Sequence, residues 1–182
     1  GQYIFNEEKI NLKYNIAKNI IIPAAAGFGT GHHPTTEGII FILNKINFHK
    51  DIKNTDIIDI GCGSGILGIV MAKLWKRNIE LIDIDFLAIK TSSYNAKMNF
   101  LHNQLNIKIG DGLNITQKQK YDIITINILA MPTLKNKGRV RNSGILHSQI
   151  LMILNKLRSM GLELEMQYIK NNWSTLLLKK GS

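Results

Sequence analysis

Three alternating glycines behind a short apolar run set the strongest limit on the architecture of this chain. The run extends from Asp56 to Ile60, and Gly61, Gly63 and Gly65 follow it before a helix-like stretch begins. Glycine lets the backbone turn tightly and approach a ligand closely, and the first N–H groups of a helix have no partners within that helix. The pattern therefore predicts a strand, a loop and a helix that hold the polar end of a nucleotide-like molecule.

Two interpretations of this loop compete, because residues 63–68 also spell the dinucleotide fingerprint G-x-G-x-x-G. In that fingerprint the first glycine closes the strand, and here that glycine is Gly61, which puts Ile66 where the last Gly or Ala belongs. Asp59 lies two residues before Gly61, and its charge would repel a pyrophosphate but favour a cationic ligand. The pattern D-x-G-x-G-x-G resembles motif I of the class I S-adenosylmethionine (SAM) methyltransferases. An NAD-dependent oxidoreductase is the alternative that the fingerprint leaves open.

A second carboxylate supports a nucleoside ligand of either kind. Ile79–Asp83 is predicted to be the next strand, and Asp83 closes it roughly twenty residues beyond the loop, where a carboxylate can accept both ribose hydroxyls. The alternative is that Asp83 and Asp85 are ordinary polar residues at the end of a strand.

Apolar periodicity predicts strands that alternate with helices. The predicted strands lie near Asn19–Pro23, Asp56–Ile60, Ile79–Asp83, Leu105–Ile109, Asp122–Ile126 and Arg139–Ile145. The predicted helices are Thr36–Ile46, Gly65–Lys76, Phe86–Phe100 and Ser148–Met160, and a hairpin with strands Leu162–Ile169 and Ser174–Leu178 follows. Such alternation implies a mostly parallel sheet that is covered on both faces. We therefore predict an α/β fold, a doubly wound, mostly parallel seven-stranded sheet with a C-terminal antiparallel hairpin.

Size and composition limit the classes of protein. The 182 residues are enough for one domain, and we expect residues 1–182 to form it. We expect no membrane span or signal segment, since no apolar run reaches about 18 residues. The single cysteine, Cys62, excludes an internal disulfide, and a cytoplasmic location is expected.

The net charge is +10, from 23 Lys and Arg against 13 Asp and Glu. A basic chain favours acidic partners, but this one is also crowded with Ile and Asn, as an AT-rich genome would impose. The sequence shows no basic stripe interleaved with aromatic residues. We therefore expect no direct contact with nucleic acid.

Four segments together resemble the bacterial ribosomal protein L11 methyltransferase family, of the PrmA type. They are F-G-T-G-H-H-P-T-T at residues 28–36, D-I-G-C-G-S-G-I-L at 59–67, N-I-L-A at 127–130 and S-G-I-L at 143–146. Their order and approximate spacing match the family from about Ile21 to the end of the chain. The first segment is far more specific than motif I, which many unrelated methyltransferases share.

The resemblance implies SAM as cofactor, with contacts at positions that match the family motifs. Asn127 is implied as the residue that orients the acceptor amine, with a strand-end turn as its alternative role. Thr36 is expected to cap the helix that follows it and to face the cofactor. Asp111 is placed where related enzymes receive the adenine amino group, with a loop acid of no function as its alternative. The complete predicted cofactor set is Thr36, Asp59, Gly61, Gly63, Gly65, Asp83, Asp111 and Asn127.

The family also implies the reaction, which is methylation of lysine or N-terminal amines of ribosomal protein L11. Alternatives are a methyltransferase of the same fold that acts on another protein lysine or a small molecule, and a SAM-binding module without catalysis. No metal is expected, because the pair His32 and His33 lacks a third ligand at suitable spacing. His33 is expected to brace the loop over the cofactor, and Trp173 to serve in packing.

The chain departs from the family pattern in two places. The family carries a small substrate-recognition domain before the catalytic domain, and here only about twenty residues precede the loop region. Between Ala130 and Gly138 the family has a full helix, where this chain has seven residues. These departures concern the recognition of the substrate and the acceptor side of the pocket.

Overall fold

The structure is a computed structural model that describes residues 20–23, 33–47, 55–112, 121–127, 139–146 and 150–180. The helices within these ranges are α1 Pro34–Asn47, α2 Ile66–Trp75, α3 Phe86–Met98 and α4 Ile150–Ser159. The strands are β1 Ile57–Ile60, β2 Ile79–Asp83, β3 Leu105–Ile109, β4 Ile123–Asn127, β5 Arg139–Leu146, β6 Leu162–Lys170 and β7 Trp173–Lys180.

The described strands form one sheet in the order β3, β2, β1, β4, β5, β7, β6. The strands from β3 to β5 pair in parallel, and β7 pairs antiparallel with both β5 and β6. From β1 the chain proceeds outward to β2 and β3, and it then returns to β4 on the other side of β1. Such a reversal leaves a crevice at the carboxyl ends of β1 and β4, where ligands of doubly wound sheets bind.

Alternate residues of the central strands face two separate apolar layers. Ile57 and Leu81 pack with residues of α1 and α2 on one face. Ile58 and Ile82 pack with α4 and the C-terminal hairpin on the other face. This alternation follows from the period of two in a strand, and it explains why β1 and β4 are apolar on both sides.

Helix α1 packs tightly on the C-terminal hairpin. A Cβ atom on Gly38 would lie 2.2 Å from Thr175 Oγ1, so this helix position has no room for a side chain. The rings of Phe41 and Tyr168 stack with their centroids 4.6 Å apart. The hairpin turns at residues 171 and 172, two asparagines with φ of 48° and 63°, as in the two-residue turns that match the twist of strands.

The alternation of strands and helices, the mostly parallel sheet and the terminal antiparallel hairpin are confirmed. The strand predicted near Asn19–Pro23 is wrong for the residues described there, since 20–23 contribute a single bridge at Pro23 and no strand of the sheet. The physical reason is that Ile21 pairs its backbone with the side chain of Asn99. None of the helices that the structure describes has the length and apolar character needed to cross a membrane.

Candidate functional site

The three glycines of the predicted loop connect β1 to α2 in a conformation that favours glycine. The φ angles are 67° at Gly61, 52° at Gly63 and 77° at Gly65, all in the left-handed region. The N–H of Gly61 donates to the carbonyl of Ile82 over 2.8 Å, which fixes the start of the loop on β2. A Cβ on Gly65 would lie 2.9 Å from Cβ of Ser92, so this position is closed to larger residues on steric grounds as well.

Asp83 bridges the glycine loop and the turn after β2. Its Oδ2 accepts from the N–H of Gly63 over 2.9 Å, and its Oδ1 accepts from the N–H of Asp85 over 3.0 Å. Each carboxylate oxygen can accept two hydrogen bonds, so both keep capacity for a ligand hydroxyl. Asp85 has a different role, because its side chain accepts from Leu87 N–H and caps α3. Asp83 therefore contacts the glycine loop, as expected for the predicted ribose acceptor, whereas Asp85 is a helix cap.

Asp59 is a buried carboxylate at the centre of the site. Its side chain is 1% exposed, and Thr125 on the neighbouring strand donates its hydroxyl to Asp59 Oδ1 over 2.6 Å. Asp59 Oδ2 is buried and makes no hydrogen bond within the part of the chain that the structure describes.

Burial raises the pKa of Asp59 from 3.8 to about 7, and the charge of Asp83 adds to this effect. The hydroxyl of Thr125 and the backbone of Gly68 oppose the rise without cancelling it. A positively charged group next to Asp59 would favour its ionised form, so the pocket is suited to a cation rather than to a phosphate.

Thr36 and Asn127 meet at the carboxyl end of β4. Asn127 Nδ2 donates to Thr36 Oγ1 over 3.0 Å, although the two residues are 91 positions apart in the sequence. The expectation that Thr36 caps its helix is wrong, because α1 begins at Pro34 and Thr36 lies inside its first turn. Proline is favoured at the first helical position, where its missing N–H costs nothing, and this moves the helix start two residues earlier. The buried Thr36 hydroxyl is thereby turned to Asn127.

The residue before the helix, His33, links α1 to the hairpin. Its carbonyl accepts from the N–H groups of Thr36 and Glu37 over 3.0 and 3.2 Å, and its ring Nδ1 lies 2.8 Å from Thr35 Oγ1. The ring of His33 meets the ring of Trp173 edge-on, with centroids 5.0 Å apart. The packing role expected for Trp173 is confirmed by this contact. The loop that His33 was expected to brace, at residues 24–32, lies outside the described residues.

The sheet edge also includes the predicted Asp111. The N–H of Gly110 donates to the carbonyl of Asp83 over 2.9 Å, which holds the end of β3 beside the end of β2. Asp111 follows directly and is exposed. All eight predicted cofactor residues therefore lie at the carboxyl ends of β1 to β4 or in the first turn of α1. Whether they bind SAM stays a prediction.

Some predicted features fall outside the described residues. They are His32, the N-I-L-A positions 128–130 and the shortened segment between Ala130 and Gly138. Among the residues that are described, no group of three His, Cys, Asp or Glu is placed to hold a metal ion.

Sequence analysis missed three polar residues that shape the site. Thr125 escaped notice because it stands within a continuous apolar strand, yet its register opposite Asp59 sets the hydroxyl against the carboxylate. Asn95 lies on α3 and Asn99 caps the C-terminus of that helix, and both bond to backbone groups distant in the sequence. The signal for Asn95 is an asparagine within a helix, where it is unfavourable unless it bonds elsewhere.

Comparison with known proteins gives a family match. The family model described as ribosomal protein L11 methyltransferase (PrmA) matches residues 6–181. The chain is 34% identical over 170 residues to a ribosomal protein L11 methyltransferase of Shewanella woodyi, with 88% of this chain and 56% of that protein covered. It is 35% identical over 176 residues to the protein of the same name from Dictyoglomus turgidum, with 90% and 56% covered. The chain thus spans about half the length of these curated relatives.

The fold has a counterpart among solved structures. A ribosomal protein L11 methylase from Lactobacillus delbrueckii subsp. bulgaricus matches with a TM-score of 0.72 at 24% identity, covering 90% of this chain and 86% of the other. A putative SAM-dependent methyltransferase of Methanococcus maripaludis matches with a TM-score of 0.63 at 18% identity, covering 79% and 85%. These likenesses establish the methyltransferase fold. With the family model matching nearly its whole length, the chain belongs to the ribosomal protein L11 methyltransferase (PrmA) family.

Proposed function

We propose that this protein is a SAM-dependent protein N-methyltransferase that modifies lysine or N-terminal amines of ribosomal protein L11. The observation that carries the proposal is the contact between Asp83 and the N–H of Gly63, which joins the predicted ribose acceptor to the glycine loop. The family supplies the substrate, since the curated relatives are named for methylation of this ribosomal protein.

The residues present fit SAM. Gly61, Gly63 and Gly65 each adopt a positive φ, and none of them carries a side chain that could stand between the loop backbone and a ligand. Asp59 Oδ2, which makes no hydrogen bond among the described residues, supports the binding of a positively charged group. We assign Asp83 to the ribose hydroxyls, Asp111 to the adenine amino group and Asp59 to the positively charged amino-acid end. The cofactor supplies a methyl group bound to a sulfonium sulfur, which is electrophilic without help from an acid.

Asn127 is the residue that we assign to the acceptor amine. Because its Nδ2 is held by Thr36 Oγ1, the opposite edge of the amide, Oδ1, has a fixed direction and can accept an N–H of the incoming amine. The amine nitrogen must be neutral to use its lone pair. That pair forms the new N–C bond as the S–C bond breaks, and the nitrogen then loses a proton to water. Positioning of this kind can supply roughly 7–11 kcal/mol in well-aligned systems.

The domain organisation and the location of the protein belong to the same proposal. We infer that residues 1–182 form a single catalytic domain whose complete sheet has seven strands. A cytoplasmic location goes with the proposal, because the proposed substrate is a ribosomal protein.

The decisive experiment is intact-mass spectrometry of unmethylated ribosomal protein L11 after incubation with this protein and SAM. We expect the mass to rise by whole methyl increments, with no rise for Asp83→Ala. A matched control is Asp122→Ala, which removes an exposed carboxylate at the opposite end of the sheet and should leave the methylation unchanged.

Three other results would contradict the proposal in distinguishable ways. SAM binding without any gain of mass would indicate a cofactor-binding module or a different acceptor. Wild-type SAM affinity in Asp83→Ala would remove the assignment of that residue. Binding of NAD in competition with SAM would favour an oxidoreductase.

A further inference from the structure

Two buried asparagines, one within α3 and one at its C-cap, make contacts that the proposed reaction does not use. Asn95 is fully buried, and its Nδ2 donates to the carbonyl of Ser64 over 2.8 Å. Ser64 lies between Gly63 and Gly65, so this hydrogen bond holds the glycine loop from behind. The bond spans 31 positions in the sequence and joins a helix interior to the loop.

Asn99, one helical turn later, binds a different segment. Its Nδ2 donates to the carbonyl of Ile21 over 2.8 Å, and its Oδ1 accepts from the N–H of Ile21 over 2.9 Å. The carboxamide thus satisfies both backbone groups of one residue, as a neighbouring strand would. The same Nδ2 also donates to the backbone carbonyl of Asn95 over 2.8 Å. Ile21 belongs to the segment 20–23, which precedes the start of α1 at Pro34 in the chain.

The energetic cost of Asn95 argues for a specific role. Its Oδ1 is buried and makes no hydrogen bond among the described residues, and an unpaired buried acceptor destabilises the folded state. Asparagine is also a poor helix former. An apolar residue would pack at this position without either cost. What an apolar residue lacks is the donor that reaches the carbonyl of Ser64.

We propose that Asn95 and Asn99 are positioning residues that fix the glycine loop and the Ile20–Pro23 segment relative to each other, and so pre-form the SAM site. The connection runs from Ser64 through the side chain of Asn95 to the backbone of Asn95, and from there through Asn99 to Ile21. Asn95 lies within α3 and Asn99 caps its C-terminus, so movement of either segment has to break a hydrogen bond in a buried environment. The inference rests on the proposed function for the identity of the ligand only.

The first test measures SAM affinity by titration calorimetry in Asn95→Ala, Asn99→Ala and the double variant. Asn95→Ala loses the hydrogen bond that holds the glycine loop, and we expect it to bind SAM roughly three- to tenfold more weakly. Asn99→Ala loses the contacts with Ile21 and with the carbonyl of Asn95, and we expect a similar loss of affinity, because its effect reaches the loop through Asn95. We expect the double variant to lose less SAM affinity than the product of the two single fold losses, because both residues act through one chain of contacts.

A matched control is Asn44→Ala. Asn44 also donates from a helix side chain to a backbone carbonyl, that of Ile40 over 2.8 Å, but this bond lies within α1 and joins neither the glycine loop nor the Ile20–Pro23 segment. It should change SAM affinity less than twofold. Wild-type affinity in both Asn95→Ala and Asn99→Ala would overturn the proposal.

The second test needs no cofactor and measures hydrogen exchange of the peptide that covers residues 61–65. We expect faster exchange there in Asn95→Ala and also in Asn99→Ala, although the side chain of Asn99 bonds to Ile21 and Asn95 rather than to that loop, and no change in Asn44→Ala. Unchanged exchange in Asn99→Ala would overturn the connection between the two segments. If Asn99→Ala does not fold, Asn99→Gln displaces the same groups by one methylene and should show the same faster exchange.

The two tests separate the inference from the proposed function. If the wild-type protein binds SAM but methylates nothing, the proposed function fails while both tests of the asparagines stand. If it binds no SAM, the exchange measurement decides the positioning role alone.

Discussion

The buried carboxylate of Asp59 is expected to make the stability of the protein fall as the pH rises. Replacing it by asparagine, Asp59→Asn, keeps the shape of the side chain and an oxygen that accepts from Thr125. The amide has no ionisation in this range. The variant therefore isolates the cost of burying a negative charge among the ends of the central strands.

The sign and size follow from the pKa. The folded protein holds the Asp59 proton up to about pH 7, whereas the ordinary value of 3.8 applies to the unfolded chain. Between these two values the folded state binds more protons, so the free energy of unfolding falls with pH by up to about 1.4 kcal/mol per pH unit. Over the whole window the loss amounts to about 4 kcal/mol, and above pH 7 it is constant. Asp59→Asn should escape this loss entirely.

The assay is urea unfolding at pH 4, 6 and 8, followed by circular dichroism, for the wild type and the variant. At each pH the unfolding free energy of the wild type is subtracted from that of Asp59→Asn. We expect this difference to increase by about 4 kcal/mol from pH 4 to pH 8. Asp56→Asn is the matched control, because Asp56 lies just before β1 and is exposed. Because this carboxylate is exposed, the same acid-to-amide exchange removes no buried charge.

A flat difference between Asp59→Asn and the wild type across this range would refute the reasoning. It would mean that water or a rearrangement around Asp59 relieves the burial of the charge. A difference that shifts in the opposite direction would mean that the ionised carboxylate is stabilised in the folded state.

Three further predictions concern binding, transfer and packing. Asn127→Ala should bind SAM with an affinity near the wild type but transfer the methyl group about 10–100-fold more slowly, because only the orientation of the acceptor is lost. Single-turnover kinetics measures this rate, and an unchanged rate would contradict the role of Asn127. SAM affinity should tighten as the pH rises from 5.5 to 7, because ionised Asp59 attracts a cation, and calorimetry should find this dependence absent in Asp59→Asn. Gly68→Ala should destabilise the fold by about 1–2 kcal/mol in urea unfolding, because the new Cβ would lie 2.6 Å from Leu81 Cδ1. Equal stability would show that the side chain of Leu81 moves aside without cost.

Local patterns were sufficient to locate most elements. Strands β2 and β3 were predicted with the bounds that the structure has, and the helices were placed to within about two residues at the ends that are described, because apolar periodicity and glycine are local signals. The start of α1 was misplaced by two residues, since Pro34 was not weighed as a first helical residue.

The error at Asn19–Pro23 has a different origin. The residues 20–22 are three isoleucines, and their pattern is that of a strand. What satisfies the backbone of Ile21 is a side chain 78 positions away, so no pattern within the segment distinguishes this arrangement from a pairing with the sheet. The same reasoning applies to Asn95. Its partner Ser64 lies 31 positions away in the sequence, so the pattern of α3 does not reveal this contact.

The sequence by itself determined the order of strands and helices, the glycine loop and the acids that close β1 and β2, because each of these is written within a few consecutive residues. It also determined the family, through motifs that keep their order along the chain. The tertiary structure alone decided which of these residues meet. Thr125 faces Asp59 through strand register, Asn127 faces Thr36 across 91 positions, and the pKa of Asp59 rises through burial. Register, long-range contact and burial depend on the packed chain as a whole, so they are absent from any local pattern.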